Sequence, residues 1–178
     1  MPWRSALGNV IAGLEFKGVK KSEAIEKGRH WLRRVGLAGF EDSYPHHLSG
    51  GMRKRVSMAQ TLIMDPDIIL MDESFSSLDI QTRQLMENLL LDLWSGEKKA
   101  VLFITHDLDE AISMSDRVIV MSAGPASHPI GEFLIDLPRP RDVTEVRGDP
   151  RFVSLHRSIW NVLREEVLKG YENQMQRK

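Results

Sequence analysis

Three short apolar runs in the middle of the chain constrain its fold more than any other feature. They lie at residues 68–71, 100–104 and 118–121, and a helical pattern separates each run from the next. Continuous apolar runs of this length, with no alternation of polar residues, are typical of strands buried on both faces of a parallel sheet. Strands that alternate with helices predict an α/β architecture.

The residues before these strands are predicted to be helical. Gly36 is the expected C-terminal stop of a helix whose buried face carries Ala24, Gly28, Trp31, Leu32 and Val35. A second helix is expected after Ser49, with an apolar side formed by Met52, Val56, Ala59 and Ile63. Residues 1–66 are therefore expected to form a helical subdomain.

An α/β core is expected over residues 67–137. The helix between the first two strands has an apolar stripe formed by Met86, Leu89, Leu90, Leu93 and Trp94. Residues 107–115 supply a short second crossover, and residues 130–137 are predicted to add an antiparallel edge strand. Residues 138–178 are predicted to be a turn-rich linker and a C-terminal helix, whose apolar side carries Phe152, Leu155, Ile159, Val162 and Leu163.

A phosphate-binding element is predicted where the second helix begins. Ser49, Gly50 and Gly51 place a hydroxyl group and two residues without side chains at the start of that helix. Several backbone N–H groups are exposed there at the positive end of the helix dipole, an arrangement that suits a phosphate. Because Ser-Gly-Gly is also a common turn and cap, the run gains its weight from the residues that follow it.

Two adjacent carboxylates end the first predicted strand, where α/β sheets commonly place their ligand sites. Adjacent side chains on a strand point to opposite faces, so Asp72 and Glu73 are expected to differ in role. We expect Asp72 to bind Mg²⁺ and Glu73 to act on an attacking water as a general base or orienting group. The alternative is a solvated strand end; Ser77-Leu78-Asp79 directly downstream favours the functional interpretation.

His106 follows the second predicted strand, within Thr105-His106-Asp107. Because neighbouring parallel strands end at the same edge of a sheet, His106 is expected at the edge that carries Asp72. There its imidazole can hydrogen-bond a γ-phosphate and stabilise the charge that develops on it. The alternative is a surface or N-cap histidine, and the matching strand context favours the functional interpretation.

The composition excludes several classes of function. A net charge of −1 and the lack of a dense Lys/Arg block give no electrostatic case for a nucleic-acid partner. Arg53-Lys54-Arg55 is interpreted as the solvated face of a helix. The chain has no cysteine for disulfides or thiolate metal sites, and no apolar stretch near the ~20 residues of a spanning helix. It is expected to be soluble and to reach a membrane only through a partner protein.

The order and spacing of these elements resemble the ATP-binding cassette (ABC) ATPases. Residues from about 1 to 125 are similar to the later part of an ABC transporter nucleotide-binding subunit. The resemblance implies a P-loop NTPase-like fold, in which a helical subdomain precedes the C-terminal part of a parallel sheet core. Pro138-Arg139-Pro140-Arg141 and the helix at Phe152 resemble, more specifically, the ATPases of nitrate, sulfonate and taurine importers.

The resemblance also implies a role for each motif. Residues 48–52 correspond to the signature motif, 68–72 to the Walker B strand and 76–79 to the D-loop. It implies that Glu73 and His106 are catalytic, that Asp72 binds Mg²⁺, and that ATP is contacted by Ser49, Gly50, Gly51 and Asp79. The chain departs from the family at two positions, since the family frequently has glutamine at Met52 and proline at Ser74.

The phosphate-loop pattern G-x-x-x-x-G-K-[ST] does not occur in these 178 residues. The resemblance implies that this loop, the aromatic residue that stacks on adenine and the Q-loop glutamine precede residue 1. About the first third of a complete domain is then expected to lie outside this sequence. We therefore expect that the chain alone neither binds nor hydrolyses ATP measurably. Although no membrane-spanning segment is expected, apolar surface at its sheet edge is expected to cause poor solubility or a molten core unless a partner covers that surface.

Three functions remain open at this point. The first is an importer ATPase, cytoplasmic and peripheral on the inner face of the cell membrane. Its implied partners are transmembrane permease subunits, a second nucleotide-binding subunit and, indirectly, a solute-binding protein. The second is a degenerate, catalytically inactive subunit that contributes only a signature half-site. The third is a soluble ABC ATPase of DNA repair or translation, which the lack of a long coiled-coil insertion and of a basic stripe disfavours. The sequence does not identify a transported solute.

Overall fold

The computed structural model describes residues 1–76, 78–96 and 99–175. The chain divides into two compact units, Met1–Ile104 and Thr105–Lys178. The division falls inside the region predicted as one α/β core. The boundaries expected from the sequence, after residues 66 and 137, remain a proposal for the organisation of the domain.

The first part of the first unit is helical, as predicted. Its helices are α1 (Ala6–Val10), α2 (Ala12–Phe16), α3 (Lys21–Arg34) and α4 (Gly50–Leu62), and a 3₁₀ turn covers Pro45–His47. The buried side of α3 carries Ala24, Gly28 and Leu32. The buried side of α4 carries Val56, Ala59 and Leu62. These sides follow the helical spacing of apolar residues in the sequence.

The predicted helix stop at Gly36 is confirmed. Gly36 has a φ of +68°, a left-handed conformation that glycine adopts without steric cost. Its N–H donates to the Arg33 carbonyl at 3.0 Å, and the Leu37 N–H donates to the Leu32 carbonyl at 2.8 Å. This pair of bonds is a Schellman motif, which satisfies carbonyl groups left open at the end of α3.

A parallel strand pair with a helical crossover completes the first unit. Strand β1 (Ile68–Asp72) leads through α5 (Ile80–Gly96) to β2 (Ala100–Ile104). The two strands pair in parallel, from Ile68 opposite Ala100 to Asp72 opposite Ile104. This confirms the α/β architecture and brings the C-terminal ends of both strands level with each other.

The prediction that these strands are buried on both faces is wrong for this chain. In β1, Ile69 and Met71 are each only 7% exposed, whereas Leu70 is 72% exposed. Strand β2 likewise exposes Leu102 to 60% and Ile104 to 55%. Because side chains alternate along a strand, Ile69 and Met71 lie on the covered face of β1 and Leu70 on the exposed face. Strand β2 is less covered, since Val101, on the face of Ile69, is itself 43% exposed.

The second unit contains α6 (Leu108–Met114), β3 (Arg117–Met121), β4 (Pro129–Leu134), a 3₁₀ turn at Val146–Gly148 and α7 (Pro150–Met175). Strand β3 pairs antiparallel with β4, which confirms the predicted antiparallel strand. The run at residues 118–121 was expected to extend the parallel sheet. Among the described residues it instead forms a separate two-stranded sheet with β4. The antiparallel pairing with β4 satisfies backbone N–H and C=O groups of β3 within the second unit.

The apolar side predicted for the C-terminal helix packs into the core of the second unit. Phe152 and Ile159 of α7 are buried with Ile112 and Val120, and they are flanked by the half-buried Leu155, Val162 and Leu163. The segment 138–150, expected to be a linker, is also packed: Val143 is fully buried and Arg141 is 7% exposed. No helix among the described residues is long and apolar enough to cross a lipid bilayer.

Substituting adjacent residues of β1 tests which face of the strand pair is covered. Met71→Ala is expected to lower the free energy of unfolding by about 2–5 kcal/mol, because it removes a buried side chain and leaves a cavity. Leu70→Ala is the matched control, and its effect is expected to stay below about 0.5 kcal/mol. Urea unfolding monitored by circular dichroism measures both. Equal losses for the two variants would contradict the observed burial pattern.

Candidate functional site

The start of α4 has the geometry expected of a phosphate-binding helix terminus. Ser49 has an extended backbone and its hydroxyl accepts a hydrogen bond from the Met52 N–H at 3.2 Å. Gly50 and Gly51 form the first turn of the helix, where N–H groups have no partner within the helix. Because Ser49 and Gly50 are exposed, this positive end of the helix is accessible to an anion.

Arginines of α4 hold the loops around this helix start. The guanidinium of Arg53 donates to the carbonyl of Leu48 at 2.5 Å, directly before the Ser49 cap. The guanidinium of Arg55 donates to the carbonyls of Val35 and Gly36 at 3.0 and 3.1 Å, which joins α4 to the end of α3. Arg53 is exposed, as the interpretation of residues 53–55 as a solvated face predicts, whereas Arg55 is half-buried and departs from it.

The signature helix and the D-loop segment approach each other at Gly51. A Cβ added to Gly51 would lie 3.4 Å from Cδ2 of Leu78, so the leucine side chain lies next to the start of α4. Leu78 is 6% exposed. The structure thus joins two of the motifs that the sequence identified separately.

Asp72 and Glu73 lie at the C-terminal end of β1, and both are exposed. Asp72 is the last strand residue and is paired with Ile104. The Glu73 N–H donates to the Ile104 carbonyl at 2.9 Å, so this residue adds one more bond after the strand ends. The two carboxylates therefore lie at the strand edge where the sequence placed them.

The backbone at Glu73 corrects one step of the sequence-based reasoning. Glu73 has a φ of +43°, a left-handed conformation that is uncommon for a residue with a side chain. Glu73 is therefore not part of the strand, and the alternation of strand side chains does not determine the direction of its carboxylate. Backbone strain of this kind is concentrated at ligand sites in proteins, because the surrounding structure must maintain it.

A buried aromatic contact fixes the turn after Glu73. Phe75 is fully buried, and its ring meets that of Phe103 edge to face, with centroids 5.7 Å apart. The Glu73 carbonyl accepts hydrogen bonds from the N–H and the hydroxyl of Ser76 at 3.3 and 2.9 Å. Sequence analysis missed Phe75, because a single aromatic residue inside a polar turn has no periodicity that marks it as buried.

Asp79 caps α5. Its carboxylate accepts a hydrogen bond from the Thr82 N–H at 2.9 Å, and that bond, together with one to the Thr82 side chain, lowers the pKa of Asp79 below its usual value. The predicted nucleotide contact at Asp79 therefore involves a side chain that already supports its own helix. Ser77, also part of the predicted D-loop, lies outside the described residues.

His106 belongs to the second unit, and its side chain is exposed. It directly precedes Asp107, whose carboxylate caps α6 by accepting the N–H groups of Asp109 and Glu110 at 2.9 and 3.2 Å. Glu110 in turn accepts a hydrogen bond from the Thr105 hydroxyl at 2.7 Å. Sequence analysis missed this pair, although Asp107-x-x-Glu110 is the spacing of a capping box.

No group of three or more His, Asp or Glu side chains among the described residues could hold a metal by itself. Mg²⁺ at phosphate sites commonly takes only one or two carboxylates, with water and phosphate oxygens as its other ligands. The exposed carboxylate of Asp72 at the strand end fits such a site.

Several known proteins are similar to this chain in sequence. The model of the ABC transporter family matches residues 5–76. An uncharacterised ABC transporter ATP-binding protein of Methanocaldococcus jannaschii is 51% identical over 96% of this chain and 62% of its own length. A taurine import ATP-binding protein of Rhizobium johnstonii is 40% identical over 92% of this chain and 63% of its own. An aliphatic sulfonates import ATP-binding protein of a Mycobacterium species is 45% identical over 94% and 66%.

Among solved structures, a dimeric ATP-binding cassette in a post-hydrolysis state with bound ADP and Pi is similar, with a TM-score of 0.63 and 32% identity. The match covers 67% of this chain and 53% of that one. The fold is thus of the α/β class and is similar to part of an ATP-binding cassette. The chain belongs to the ABC transporter family. It spans 62% to 66% of the length of the three curated relatives described above.

The pKa of Asp79 leads to a pH-dependent prediction. Because the pKa is lowered in the folded state, the stability that Asp79 contributes is present above the ordinary carboxylate pKa of about 3.9 and is lost as the pH falls through the folded value. Asp79→Ala is expected to lower the urea midpoint at pH 7, with a deficit that shrinks below about pH 4. Asp79→Asn, which keeps an accepting oxygen but does not ionise, is the control. A deficit for Asp79→Ala that does not change with pH would contradict the assignment.

Proposed function

We propose that this chain acts in an ATP-binding subunit of an ABC-type importer, in which ATP hydrolysis drives solute transport through a partner permease. The observation that carries the proposal is the start of α4. There the Ser49 cap, two glycines of which Gly50 is exposed, and the positive end of a 13-residue helix form an anion site in a family whose members bind ATP. The likeness to taurine and sulfonate import ATP-binding proteins supports an importer over other ABC ATPases.

Each site residue has a proposed role. Ser49, Gly50 and Gly51 bind the phosphates of ATP held by a second nucleotide-binding subunit, and this pairing is supported by the dimeric cassette among similar structures. Asp72 holds Mg²⁺, which neutralises phosphate charge when bound. Glu73 accepts a proton from, or orients, the attacking water. His106 donates a hydrogen bond to the γ-phosphate. Asp79 contacts ATP from the position directly before α5, the helix that its carboxylate caps.

The proposed partners are those of importers. They are transmembrane permease subunits, a second nucleotide-binding subunit and a solute-binding protein that acts through the permease. The proposed location is cytoplasmic, at the inner face of the cell membrane. Taurine or another organic sulfonate is the favoured solute class, because two relatives that align with more than nine-tenths of this chain are named as import proteins for these solutes.

The role of Glu73 can be tested in the subunit assembled with its partners. Glu73→Gln keeps the size of the side chain and removes its basicity, so ATP hydrolysis is expected to fall by about 10²–10⁴-fold while ATP binding persists. Glu165→Gln on the exposed side of α7 is the matched control and is expected to leave hydrolysis unchanged. Phosphate release and nucleotide retention are measured together. A Glu73→Gln protein with normal turnover would exclude this residue as the base.

A second candidate is a subunit that contributes only the signature to a nucleotide bound by its neighbour. The capped start of α4 favours this candidate. Its N–H groups can contact a phosphate that another subunit holds, and this contact does not require a phosphate loop in the same chain. In that case a bulky Ser49→Arg substitution abolishes turnover of the mixed dimer, whereas Glu73→Gln does not. The importer ATPase requires both residues.

Calorimetry on the 178-residue chain tests where the nucleotide is held. We expect no measurable heat on titration with ATP and Mg²⁺, because the helix terminus and Asp72 supply only part of the ligands of a triphosphate. Addition of an ABC subunit that contains a phosphate loop is expected to produce binding that Ser49→Arg removes. Stoichiometric, micromolar ATP binding by the chain alone would overturn this expectation.

A further inference from the structure

The residues around His106 form a closed set of hydrogen bonds. The Thr105 hydroxyl donates to Oε2 of Glu110 at 2.7 Å, and the Asp107 N–H donates to the same hydroxyl oxygen at 3.0 Å. The Asp107 carboxylate accepts the Glu110 N–H at 3.2 Å. Two of these bonds join the loop to Glu110 in the first turn of α6, and the third joins Asp107 to Thr105 within the loop. The chain is therefore fixed immediately before and immediately after His106.

The arrangement is an extended form of the capping box. In the ordinary box, the acid at the third helical position accepts the backbone N–H of the N-cap residue directly. Here the Thr105 hydroxyl lies between them. It accepts a hydrogen bond from the Asp107 N–H and donates one to the Glu110 carboxyl group. An ordinary box fixes only the cap residue. This one also fixes Thr105, two residues earlier, and therefore encloses His106.

The burial of Glu110 shows that this contact is more than a surface cap. Glu110 is 3% exposed, and the other buried residues of α6, Ile112 and Ser113, are both fully buried. A buried carboxylate is costly unless hydrogen bonds compensate it. The Thr105 hydroxyl supplies such a bond to Oε2 of Glu110 at 2.7 Å. The carboxylate is therefore a rigid anchor for the Thr105 hydroxyl.

We propose that Thr105 and Glu110 are positioning residues for His106, and that their hydrogen bond holds the imidazole where it meets the γ-phosphate. The inference rests on the proposed function, in which His106 contacts that phosphate. A side chain displaced by about 1 Å from its productive position can cost about 10²-fold in rate, so a loop that holds an exposed histidine in place has a direct catalytic value. Neither Thr105 nor Glu110 touches the substrate in this proposal.

The central test compares two substitutions of Thr105 in the subunit assembled with its partners. Thr105→Val keeps the shape and removes the hydroxyl, and kcat is expected to fall about 10-fold or more with KM for ATP within about twofold of wild type. Thr105→Ser keeps the hydroxyl and is expected to restore kcat to within about twofold. Loss of general stability would not produce this split between kcat and KM, nor rescue by serine.

Glu110 is tested through its coupling to Thr105. Glu110→Gln keeps an accepting oxygen and is expected to retain most activity, whereas Glu110→Ala is expected to reproduce the loss seen in Thr105→Val. Because Glu110 acts through Thr105, the double variant Thr105→Val/Glu110→Ala should be no slower than either single variant. Asp109→Asn, which removes a neighbouring charge from the same helix turn, is the matched control and should leave kcat unchanged.

A measurement without nucleotide separates this inference from the proposed function. Amide hydrogen exchange of the 178-residue chain is expected to accelerate at Asp107 in Thr105→Val and to stay unchanged in Asp109→Asn. His106→Ala is measured alongside. If His106→Ala retains full turnover, the proposed role of His106 fails; if His106→Ala is inactive while Thr105→Val has normal kcat or unchanged exchange, only the positioning role is overturned.

Discussion

Helix capping by a side chain is the interaction on which the functional segments of this chain depend. Ser49, Asp79 and Asp107 each begin a helix by accepting a hydrogen bond from a backbone N–H in its first turn. Each cap lies within or beside a motif: the signature, the D-loop and the loop of His106. A cap fixes the chain direction just before the helix, and replacing it by alanine typically costs about 1 kcal/mol. The same N–H groups that need a cap are those that bind phosphate, so one chemistry serves both folding and ligand recognition.

The element types could be predicted from the sequence because their patterns are local. The α3 face and its Gly36 stop, the Ser49 cap and the β1–α5–β2 crossover all depend on residues close together in the chain. Which surfaces cover a strand is not local. The run at 68–71 has the composition of a strand buried on both faces, yet Leu70 is exposed and Met71 is not. The sequence likewise predicted β4 as an antiparallel strand, but the apolar pattern does not show that β3 pairs with β4 rather than with the parallel strands.

The candidate site shows the same limit at the level of single residues. The sequence placed Asp72 and Glu73 at a strand end, since carboxylates that follow an apolar run are visible as a pattern. It did not predict the left-handed backbone of Glu73 or the burial of Phe75 against Phe103, because both depend on contacts made across the turn and the sheet. Glu110 was missed for a related reason. An acid in a first helical turn is ordinarily solvated and favourable to the dipole, and only the fold shows that this one is enclosed.

Helix α6 is fixed at its other end by the segment that the sequence marked as Pro138-Arg139-Pro140-Arg141. The guanidinium of Arg139 donates to the Met114 carbonyl at 3.1 Å and to the Asp116 carboxylate at 2.8 Å. Arg141, 7% exposed, donates to the Ser115 carbonyl at 2.6 Å and to the Leu137 carbonyl at 2.9 Å. Positive charge at a helix C-terminus satisfies open carbonyls and complements the dipole. A carboxylate thus caps one end of α6, and two arginines bind the carbonyls at the other end. Charged groups at both ends therefore fix the position of this short helix and of the loop before it.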